Sequence, residues 1–191
     1  MAENLLTLVT GGARSGKSSF GESILENMDG EILYIATAQA FDDEMKDRIK
    51  KHQEGRPSNW TTLEGYKNLS QKIQPYKEKI SAVFLDCITI MVTNLMLDED
   101  CDWDKITPEE ANKIEAKIFK EVKELIKTLK ELDIPVIIVT NEIGMGIVPG
   151  DKLSRIFRDI AGRINQYIGR EVGTVYLVVT GIPIRIKGDG K

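Results

Sequence analysis

The sequence lacks the features that mark disulfide-stapled, zinc-bound or nucleic-acid-binding proteins. Its two cysteines, Cys87 and Cys101, have no partner at the spacing of a zinc or redox motif. No long block of lysine and arginine occurs, and the formal net charge is −4. The first absence indicates free thiols in a reducing compartment, and the second leaves no electrostatic footprint for nucleic acid or an acidic membrane surface. A small-molecule partner is therefore favoured, and we expect no nucleic-acid partner.

Long apolar runs are lacking as well. No stretch approaches the ~20 apolar residues of a membrane span, and the first residues have no basic region followed by an apolar run. We therefore expect a cytoplasmic protein without membrane insertion. The 191 residues, 41% of them hydrophobic and 29% charged, are typical of one globular domain. A single domain is predicted over residues 1–191.

Short apolar runs alternate with longer segments of helical periodicity, which is typical of a mostly parallel sheet flanked by crossover helices. Helices are predicted over Phe41–Glu54, Glu109–Leu132 and Asp151–Ile168, and directly after a glycine-rich loop. Ile182–Ile186 follows Gly181 closely enough to form a terminal β-hairpin. The pattern predicts an α/β fold. The predicted strands are Leu5–Thr10, Ile32–Ala36, Ala82–Asp86, Pro135–Thr140 and Thr174–Thr180.

The apolar residues of two segments exceed what one small domain needs to bury. Asp151–Ile168 carries a wide apolar stripe, which indicates a surface or interface helix, and the predicted terminal hairpin is apolar too. Such surplus surface is typical of proteins that associate with copies of themselves. The sequence therefore predicts a symmetric homo-oligomer.

The pattern G-x-x-x-x-G-K-[ST] lies between the first predicted strand and a predicted helix, which is the setting that a phosphate-binding loop needs. Its glycines let backbone N–H groups point at phosphate oxygens. Lys17 would place its charge on the β- and γ-phosphates, and the Ser18 hydroxyl could bind Mg²⁺. A glycine-rich turn that binds nothing would not require this strand and helix. The predicted nucleotide-binding residues here are Gly11, Gly12, Ala13, Arg14, Ser15, Gly16, Lys17 and Ser18.

A phosphate loop usually works with an acidic residue at the end of a neighbouring buried strand. Asp86 follows the apolar run Ala82–Leu85, so it would stand at the carboxyl edge of the sheet, where ligands collect in open α/β folds. Alternatively, Asp86 could cap a helix or turn that begins before Thr89. We expect Ser18 and Asp86 to hold Mg²⁺.

His52 is the only histidine, so any histidine chemistry depends on it. On the predicted helix Phe41–Glu54 it shares a face with apolar side chains, which is also typical of a histidine that is merely packed or exposed. Lys50, Lys51 and Arg56 lie close by in sequence. Cations beside an imidazole favour its neutral, nucleophilic form and attract phosphate. Both interpretations of His52 stay open on spacing alone.

Taken together, the phosphate loop, the lone histidine and the strand-end acid resemble the bifunctional adenosylcobinamide kinase / adenosylcobinamide-phosphate guanylyltransferase family of cobalamin synthesis. The resemblance runs nearly from end to end, and the stretches occur in the family's order. The matching stretches are Leu8–Ser18, Tyr34–Ala38, Asp42–Met45 with Arg48 and Ile49, His52–Glu64, Leu85–Leu95, Val139–Pro149 and Phe157–Asn165.

This resemblance implies a RecA-like P-loop NTPase fold, a trimer and two successive reactions. A nucleoside triphosphate, ATP or GTP, would phosphorylate the aminopropanol arm of adenosylcobinamide. GTP would then transfer GMP to adenosylcobinamide phosphate through a guanylylated histidine. His52 and Lys17 would be the catalytic residues, and Arg56 could neutralise charge on the reacting phosphorus. The further nucleotide contacts implied are Ala36, Thr37, Ala38, Gln53, Glu54, Gly55, Arg56, Glu64 and Asp86.

Three functional alternatives remain beside this one. The chain could be a RecA-type ATPase that drives assembly or movement, or a binding module in which the nucleotide switches a surface such as Asp151–Ile168. It could also be a family member that has lost the kinase activity. Intact Lys17 and Ser18 argue against the last alternative.

Several other residues carry two interpretations. Trp60 is interpreted as a packing anchor rather than a platform for a nucleotide base. Asn141 and Glu142 follow a predicted strand at the expected site, so they could orient substrate or cap the next loop. Gly144–Pro149 has the glycines of a mobile lid, although a rigid turn explains them equally well.

Overall fold

Seven strands form one sheet in the part of the chain that the structure, a computed structural model, describes: residues 4–39 and 59–188. The strands are β1 (Leu6–Gly11), β2 (Glu31–Ala36), β3 (Trp60–Glu64), β4 (Ile80–Asp86), β5 (Val136–Asn141), β6 (Thr174–Val179) and β7 (Ile182–Lys187). Their order across the sheet is β3-β2-β4-β5-β1-β6-β7. All neighbouring pairs are parallel except β6 and β7, which form an antiparallel hairpin. The predicted terminal β-hairpin is therefore confirmed, and it makes the sheet mixed at this edge.

The helices of these residues are α1 (Lys17–Leu25), α2 (Leu69–Lys72), α3 (Ile88–Leu97), α4 (Pro108–Glu131) and α5 (Lys152–Glu171), with a short 3-10 helix at Gln74–Tyr76. The two long helices begin where the sequence provides a cap. Thr107 and Glu110 form a capping box ahead of α4, and the Asp151 carboxylate accepts a hydrogen bond from the Ser154 N–H at 2.7 Å. None of these helices is both long and apolar enough to cross a membrane.

The sheet separates two hydrophobic cores of unequal size. On one face α1 covers residues such as Val9, Phe84 and Val139. On the other face α3, α4 and α5 cover the alternate residues of the same strands, for example Leu8 and Ile138. Each of these side chains is almost completely buried, which stabilises the fold by about 1.5–3 kcal/mol per large residue. The central strands are therefore covered on both faces, and their carboxyl ends form one edge.

The prediction of an α/β fold is confirmed, and each predicted strand ends within two residues of the observed one. The strand β3 and the helix α3 were not predicted. The predicted helix Phe41–Glu54 lies outside the described residues. A single domain over residues 1–191 stays a prediction.

The interpretation of the α5 stripe as spare interface surface is wrong. Ile160, Ile164 and Ile168 are buried in the protein's own core beneath the sheet. The terminal hairpin differs, because every residue of β7 is exposed, including Ile182 at 63% and Ile186 at 60%. Of the two apolar segments, only the hairpin leaves apolar surface uncovered.

Candidate active site

The phosphate loop connects the end of β1 to the start of α1 by a tight backbone reversal. The Ser15 N–H donates to the Gly12 carbonyl at 3.3 Å, and the Phe20 N–H donates to the Gly16 carbonyl at 2.9 Å. Arg14 and Gly16 lie in the left-handed region, with φ of +56° and +91°. Gly16 adopts this conformation at little cost because it has no Cβ atom. The loop thus has the shape that the sequence motif requires.

The turn of the terminal hairpin packs against the outside of this loop. The Gly181 N–H donates to the Ser15 carbonyl at 2.8 Å. A Cβ atom on Gly16 would lie 3.2 Å from the Gly181 Cα, and one on Gly11 would lie 2.5 Å from the Val178 carbonyl oxygen. The Ser15 hydroxyl is buried and has no hydrogen-bond partner among the described residues. The loop is therefore fixed from outside by β6 and the hairpin turn, and it holds one unsatisfied polar group.

Lys17 lies over the loop rather than extending into solvent. Its ammonium group donates to the Gly12 carbonyl at 3.1 Å. Burial lowers the pKa of Lys17 below its usual value, while the nearby Cys87 and Asp86 act in the opposite direction. A partly desolvated cation interacts more strongly with an anion than an exposed one does. This arrangement favours binding of a phosphate group at the loop.

Asp86 stands at the carboxyl end of β4, and its Oδ2 atom accepts a hydrogen bond from the Tyr34 hydroxyl at 3.2 Å. The predicted place at a strand end is confirmed. Its strand is not the neighbour of β1, however, because β5 lies between them. The capping alternative is wrong, since Cys87 is the residue before α3 and no side chain caps this helix. Asp86 can therefore contact a ligand at the phosphate loop, from which its strand is separated by the width of β5.

Mg²⁺ fits the two residues predicted to hold it. The Ser18 hydroxyl at the start of α1 and the Asp86 carboxylate are hard oxygen donors, which this ion prefers. Within residues 4–39 and 59–188, no group of three or more His, Cys, Asp or Glu side chains could hold a metal ion. Phosphate oxygens and water would have to complete the coordination, as is usual for nucleotide-bound Mg²⁺.

Thr37 is completely buried and is bonded to the end of β4. Its hydroxyl donates to the Cys87 carbonyl at 2.7 Å and accepts from the Cys87 N–H at 2.8 Å. Its own N–H donates to the Asp86 carbonyl at 3.1 Å, and its carbonyl accepts from the Asn94 amide at 2.9 Å. Thr37 therefore fixes the backbone that carries Asp86. Its side chain has no surface left for a nucleotide.

Burial raises the pKa of the Cys87 thiol to about 12, and the neighbouring Asp86 carboxylate adds to this effect. A thiol with this pKa is protonated at neutral pH and is not a nucleophile. Cys87 is therefore a structural residue beneath the site.

The loop after β5 begins beside the phosphate loop. The Glu142 N–H donates to the Gly11 carbonyl at 3.0 Å, and the Glu142 carboxylate accepts from the Gly144 N–H at 2.6 Å. Glu142 thus caps this loop, as one of the two interpretations predicted. Further along, Met145 and Ile147 are 82% and 96% exposed.

The structure brings Gly11–Ser18, Ala36–Ala38 and Asp86 to one edge of the sheet, and it places Glu64 at the end of β3. His52 and the segment Gln53–Arg56 lie outside the described residues. Trp60 packs against Tyr34 and Phe84, with ring centroids 6.0 and 5.7 Å apart, which confirms its interpretation as a packing anchor.

Three residues that support the site were not predicted: Tyr34, Asn94 and Gly181. Asn94 had a signal in the sequence, because a buried amide in the apolar stretch Ile88–Leu97 needs a partner. Tyr34 and Gly181 had none, since their contacts depend on strand order.

A strand, a phosphate loop and a helix, with an acid at the same edge of a mostly parallel sheet, define a nucleotide-binding protein of the P-loop α/β class. Within that class, the chain belongs to the cobinamide kinase / cobinamide phosphate guanyltransferase family, whose sequence model matches residues 7–186. The resemblance and the enzyme class predicted from the sequence are both confirmed. The alternatives of a motor ATPase and of a nucleotide-switched binding module are not supported.

Two curated relatives are similar to this chain over nearly its full length. The bifunctional adenosylcobalamin biosynthesis protein CobU of Escherichia coli (strain K12) is 44% identical over 96% of this chain and 100% of that protein. The protein of the same name from Salmonella typhimurium (strain LT2) is 43% identical over 96% of this chain and 100% of its own length.

A solved structure from Pyrococcus horikoshii OT3, described as the structural study of Project ID PH0250, aligns with a TM-score of 0.54. It covers 100% of this chain and 90% of that one at 11% identity. This similarity concerns the fold alone.

Proposed function

We propose that this chain phosphorylates the hydroxyl on the aminopropanol arm of adenosylcobinamide and then attaches GMP to the new phosphate. The observation that carries the proposal is the phosphate loop Gly11–Ser18, with Lys17 lying over it and Asp86 at the same edge, in a chain of this family. One triphosphate cradle would serve both reactions.

In the first reaction the substrate hydroxyl oxygen would attack the γ-phosphorus of ATP or GTP. The bond from that phosphorus to the bridging oxygen would break, the nucleoside diphosphate would leave, and the hydroxyl proton would pass to solvent. Loop N–H groups and the Lys17 ammonium would stabilise the charge on the phosphoryl oxygens. Mg²⁺ bound by Ser18 and Asp86 would supply further neutralisation of the β- and γ-phosphates.

In the second reaction a nitrogen of His52 would attack the α-phosphorus of GTP, and pyrophosphate would leave. A phosphate oxygen of adenosylcobinamide phosphate would then attack the same phosphorus and break the P–N bond, giving adenosyl-GDP-cobinamide. The support is chemical: an imidazole nitrogen forms a phosphoramidate labile enough to pass the nucleotidyl group on. Arg56 lies close in sequence and could offset charge at the five-coordinate phosphorus.

Mass spectrometry of the protein after incubation with GTP and Mg²⁺ tests the second reaction. We expect a GMP adduct on His52 that is labile in acid and stable in base, and that forms more slowly as pH falls, because protonation removes the attacking lone pair. His52→Asn should abolish the adduct and the guanylyl transfer, and it should leave part of the kinase activity. Lys50→Ala and Lys51→Ala are the matched controls. An adduct that persists in His52→Asn, or that maps to either lysine, contradicts the proposal.

We also propose that the protein is a cytoplasmic homotrimer whose hairpin contacts a second copy. The apolar residues Ile182, Ile184 and Ile186 alternate along one exposed strand, and exposed apolar surface of this kind favours association. Light scattering should show the trimer at micromolar concentration, and Ile184→Lys should dissociate it. Arg185→Ala, one residue further along the same strand, should not. A monomer with full activity would end this proposal.

A further inference from the structure

Four hydrogen bonds form a closed ring behind the sheet edge. The Asn141 N–H donates to the Thr89 hydroxyl oxygen at 2.6 Å, and the Thr89 and Thr140 hydroxyls are 3.1 Å apart. The Thr140 hydroxyl donates to the Asn165 carboxamide oxygen at 2.8 Å, and the Asn165 amide donates to the Asn141 carbonyl at 2.9 Å. The ring therefore starts and ends on the peptide groups of one residue, Asn141.

The direction of every proton in this ring is determined. Because the Thr140 proton goes to Asn165, the Thr89 proton must go to Thr140. Reversing the Asn165 carboxamide would set its oxygen against the Asn141 carbonyl, so only one orientation satisfies both neighbours. Thr89 and Thr140 are 5% and 1% exposed, so no water replaces a lost partner at low cost. The ring holds the Asn141 backbone in one position.

The side chain of Asn141 stands on the opposite face from the ring. Val136 and Ile138 belong to the core beneath α3, α4 and α5, whereas Ile137 and Val139 belong to the core beneath α1. By this alternation Thr140 faces α5, and Asn141 faces the side of α1 and the phosphate loop.

The strand register places Asn141 beside the reacting groups. Asn141 pairs with Gly11, where the phosphate loop starts, and β5 lies between β1 and the strand that ends at Asp86. Within residues 4–39 and 59–188 its carboxamide has no hydrogen-bond partner that competes with a ligand. Thr89, Thr140 and Asn165 come from α3, β5 and α5, so the three elements meet behind a single side chain.

We propose that Thr89, Thr140 and Asn165 are positioning residues: they hold Asn141 so that its carboxamide orients the transferred phosphoryl group and the attacking hydroxyl. They act on the kinase step and not on nucleotide affinity, because the loop that binds the phosphates is held by other contacts. The inference rests on the proposed kinase reaction, and it is independent of the guanylyl-histidine.

Thr140→Val tests this role, because it keeps the shape of the side chain and removes the hydroxyl. We expect kcat for cobinamide phosphorylation to fall roughly tenfold or more, since the buried Thr89 hydroxyl and the partly buried Asn165 carboxamide oxygen lose their partner. The dissociation constant for GTP, measured by equilibrium binding, should stay within about twofold of the wild type. Thr140→Ser should restore most of kcat.

Thr93→Val is the matched control. Thr93 lies on the same helix as Thr89, and its hydroxyl donates to the Thr89 carbonyl at 3.0 Å outside the ring. This variant should keep kcat. Equal losses in Thr93→Val and Thr140→Val, or equal losses in Thr140→Ser and Thr140→Val, would overturn the proposal, because either result indicates general destabilisation.

A double-mutant cycle with Asn141→Ala shows whether the ring acts through Asn141. If it does, Thr140→Val should lower kcat by less than about twofold once the Asn141 carboxamide is gone. A full and independent loss in the Asn141→Ala background contradicts the proposed role.

Hydrogen exchange supplies a readout that needs no turnover. The Asn141 amide, bonded to the Thr89 hydroxyl, should exchange faster in Thr140→Val and at the wild-type rate in Thr93→Val. Unchanged exchange at this amide refutes the ring as the element that holds Asn141. Absence of cobinamide phosphorylation by the wild-type protein refutes instead the proposed function, and the two failures are thereby distinguished.

Discussion

The phosphate loop and the ring of Thr89, Thr140 and Asn165 lie at the same edge of the sheet but are built in different ways. The loop is one continuous segment, shaped by glycine conformations and backbone hydrogen bonds. The ring joins side chains from three elements that are distant in sequence. The loop should therefore fail when its backbone or its cation is altered, and the ring should fail when one hydroxyl is lost. Substitutions in the loop and substitutions in the ring can therefore distinguish the contributions of these two structures.

Lys17→Ala should have the largest effect, because both proposed reactions use the cation over the loop. We expect both activities to fall by on the order of a thousandfold or more, as for other groups that stabilise transition-state charge. Assays of phosphorylation and of guanylyl transfer check this outcome. Lys127→Ala, on the exposed face of α4, is the control. A near-normal kinase rate in Lys17→Ala would show that the reactions do not share one cradle.

Gly16→Ala should weaken nucleotide binding, which the ring variants should not. The residue has φ of +91°, and the added Cβ would lie 3.2 Å from the Gly181 Cα. A left-handed conformation costs an alanine about 1–2 kcal/mol, so the dissociation constant for GTP should rise roughly tenfold. At Gly12 an added Cβ meets nothing within 4 Å, so Gly12→Ala should lose less affinity. Equal losses in the two variants would contradict this explanation.

A glycine-to-alanine substitution should change the free energy of unfolding in opposite directions in α1, which follows the phosphate loop, and in α5, which contributes to the ring. A Cβ on Gly21 of α1 would lie 2.8 Å from the Phe84 ring, whereas one on Gly162 of α5 meets nothing within 4 Å. Gly21→Ala should therefore lower the free energy of unfolding by about 1–3 kcal/mol. Gly162→Ala should raise it by up to about 1 kcal/mol through helix propensity. Urea denaturation of both variants measures the difference, and a stabilised Gly21→Ala would refute the close packing of α1.

The smallest expected effect concerns Cys87 beneath the loop. Its folded-state pKa of about 12 lies above the value of 9.0 for an ordinary thiol. A raised folded-state pKa stabilises the protein below pH 9, and this contribution is lost as pH rises toward 12. At pH 10 the loss should be about 1 kcal/mol, visible as a steeper fall in unfolding free energy for the wild type than for Cys87→Ala. Lys17 acts with the opposite sign, because its pKa is lowered.

The comparison between Cys87→Ala and Cys101→Ala isolates the thiol. Cys101 is partly exposed, so its removal should change the pH dependence less. The same slope above pH 9 for the wild type and for Cys87→Ala would mean that the thiol is not desolvated as the structure indicates.

Continuous patterns in the sequence predicted the loop and the central strands. The apolar runs of β1, β4 and β5 are buried on both faces, so hydrophobicity alone marks them. The edge strand β3 was missed because Trp60–Glu64 alternates between half-buried and exposed residues and contains no apolar run.

The arrangement across the strands could not be predicted. Chain order does not give strand order, so the insertion of β5 between β1 and Asp86 was not foreseen. For the same reason the ring had no signal: Thr89, Thr140 and Asn165 share no spacing, and they meet only once α3, β5 and α5 have packed. The roles predicted for His52 and its neighbours came from the resemblance to a family, because no periodic pattern in the sequence indicates them.

Because Gly181 contacts the phosphate loop, the loop residues alone are not a complete unit that could be transferred to another protein. Residues Gly11–Ser18 contain the whole motif, yet the Ser15 carbonyl and the space beside Gly16 are completed by a turn near the other end of the chain. A shortened protein that ended at Val179 would retain every motif residue and lose the contacts that this turn makes with the outside of the loop. Transplanting the loop into another scaffold would require the turn as well, so the unit that can be moved is a pair of segments rather than one.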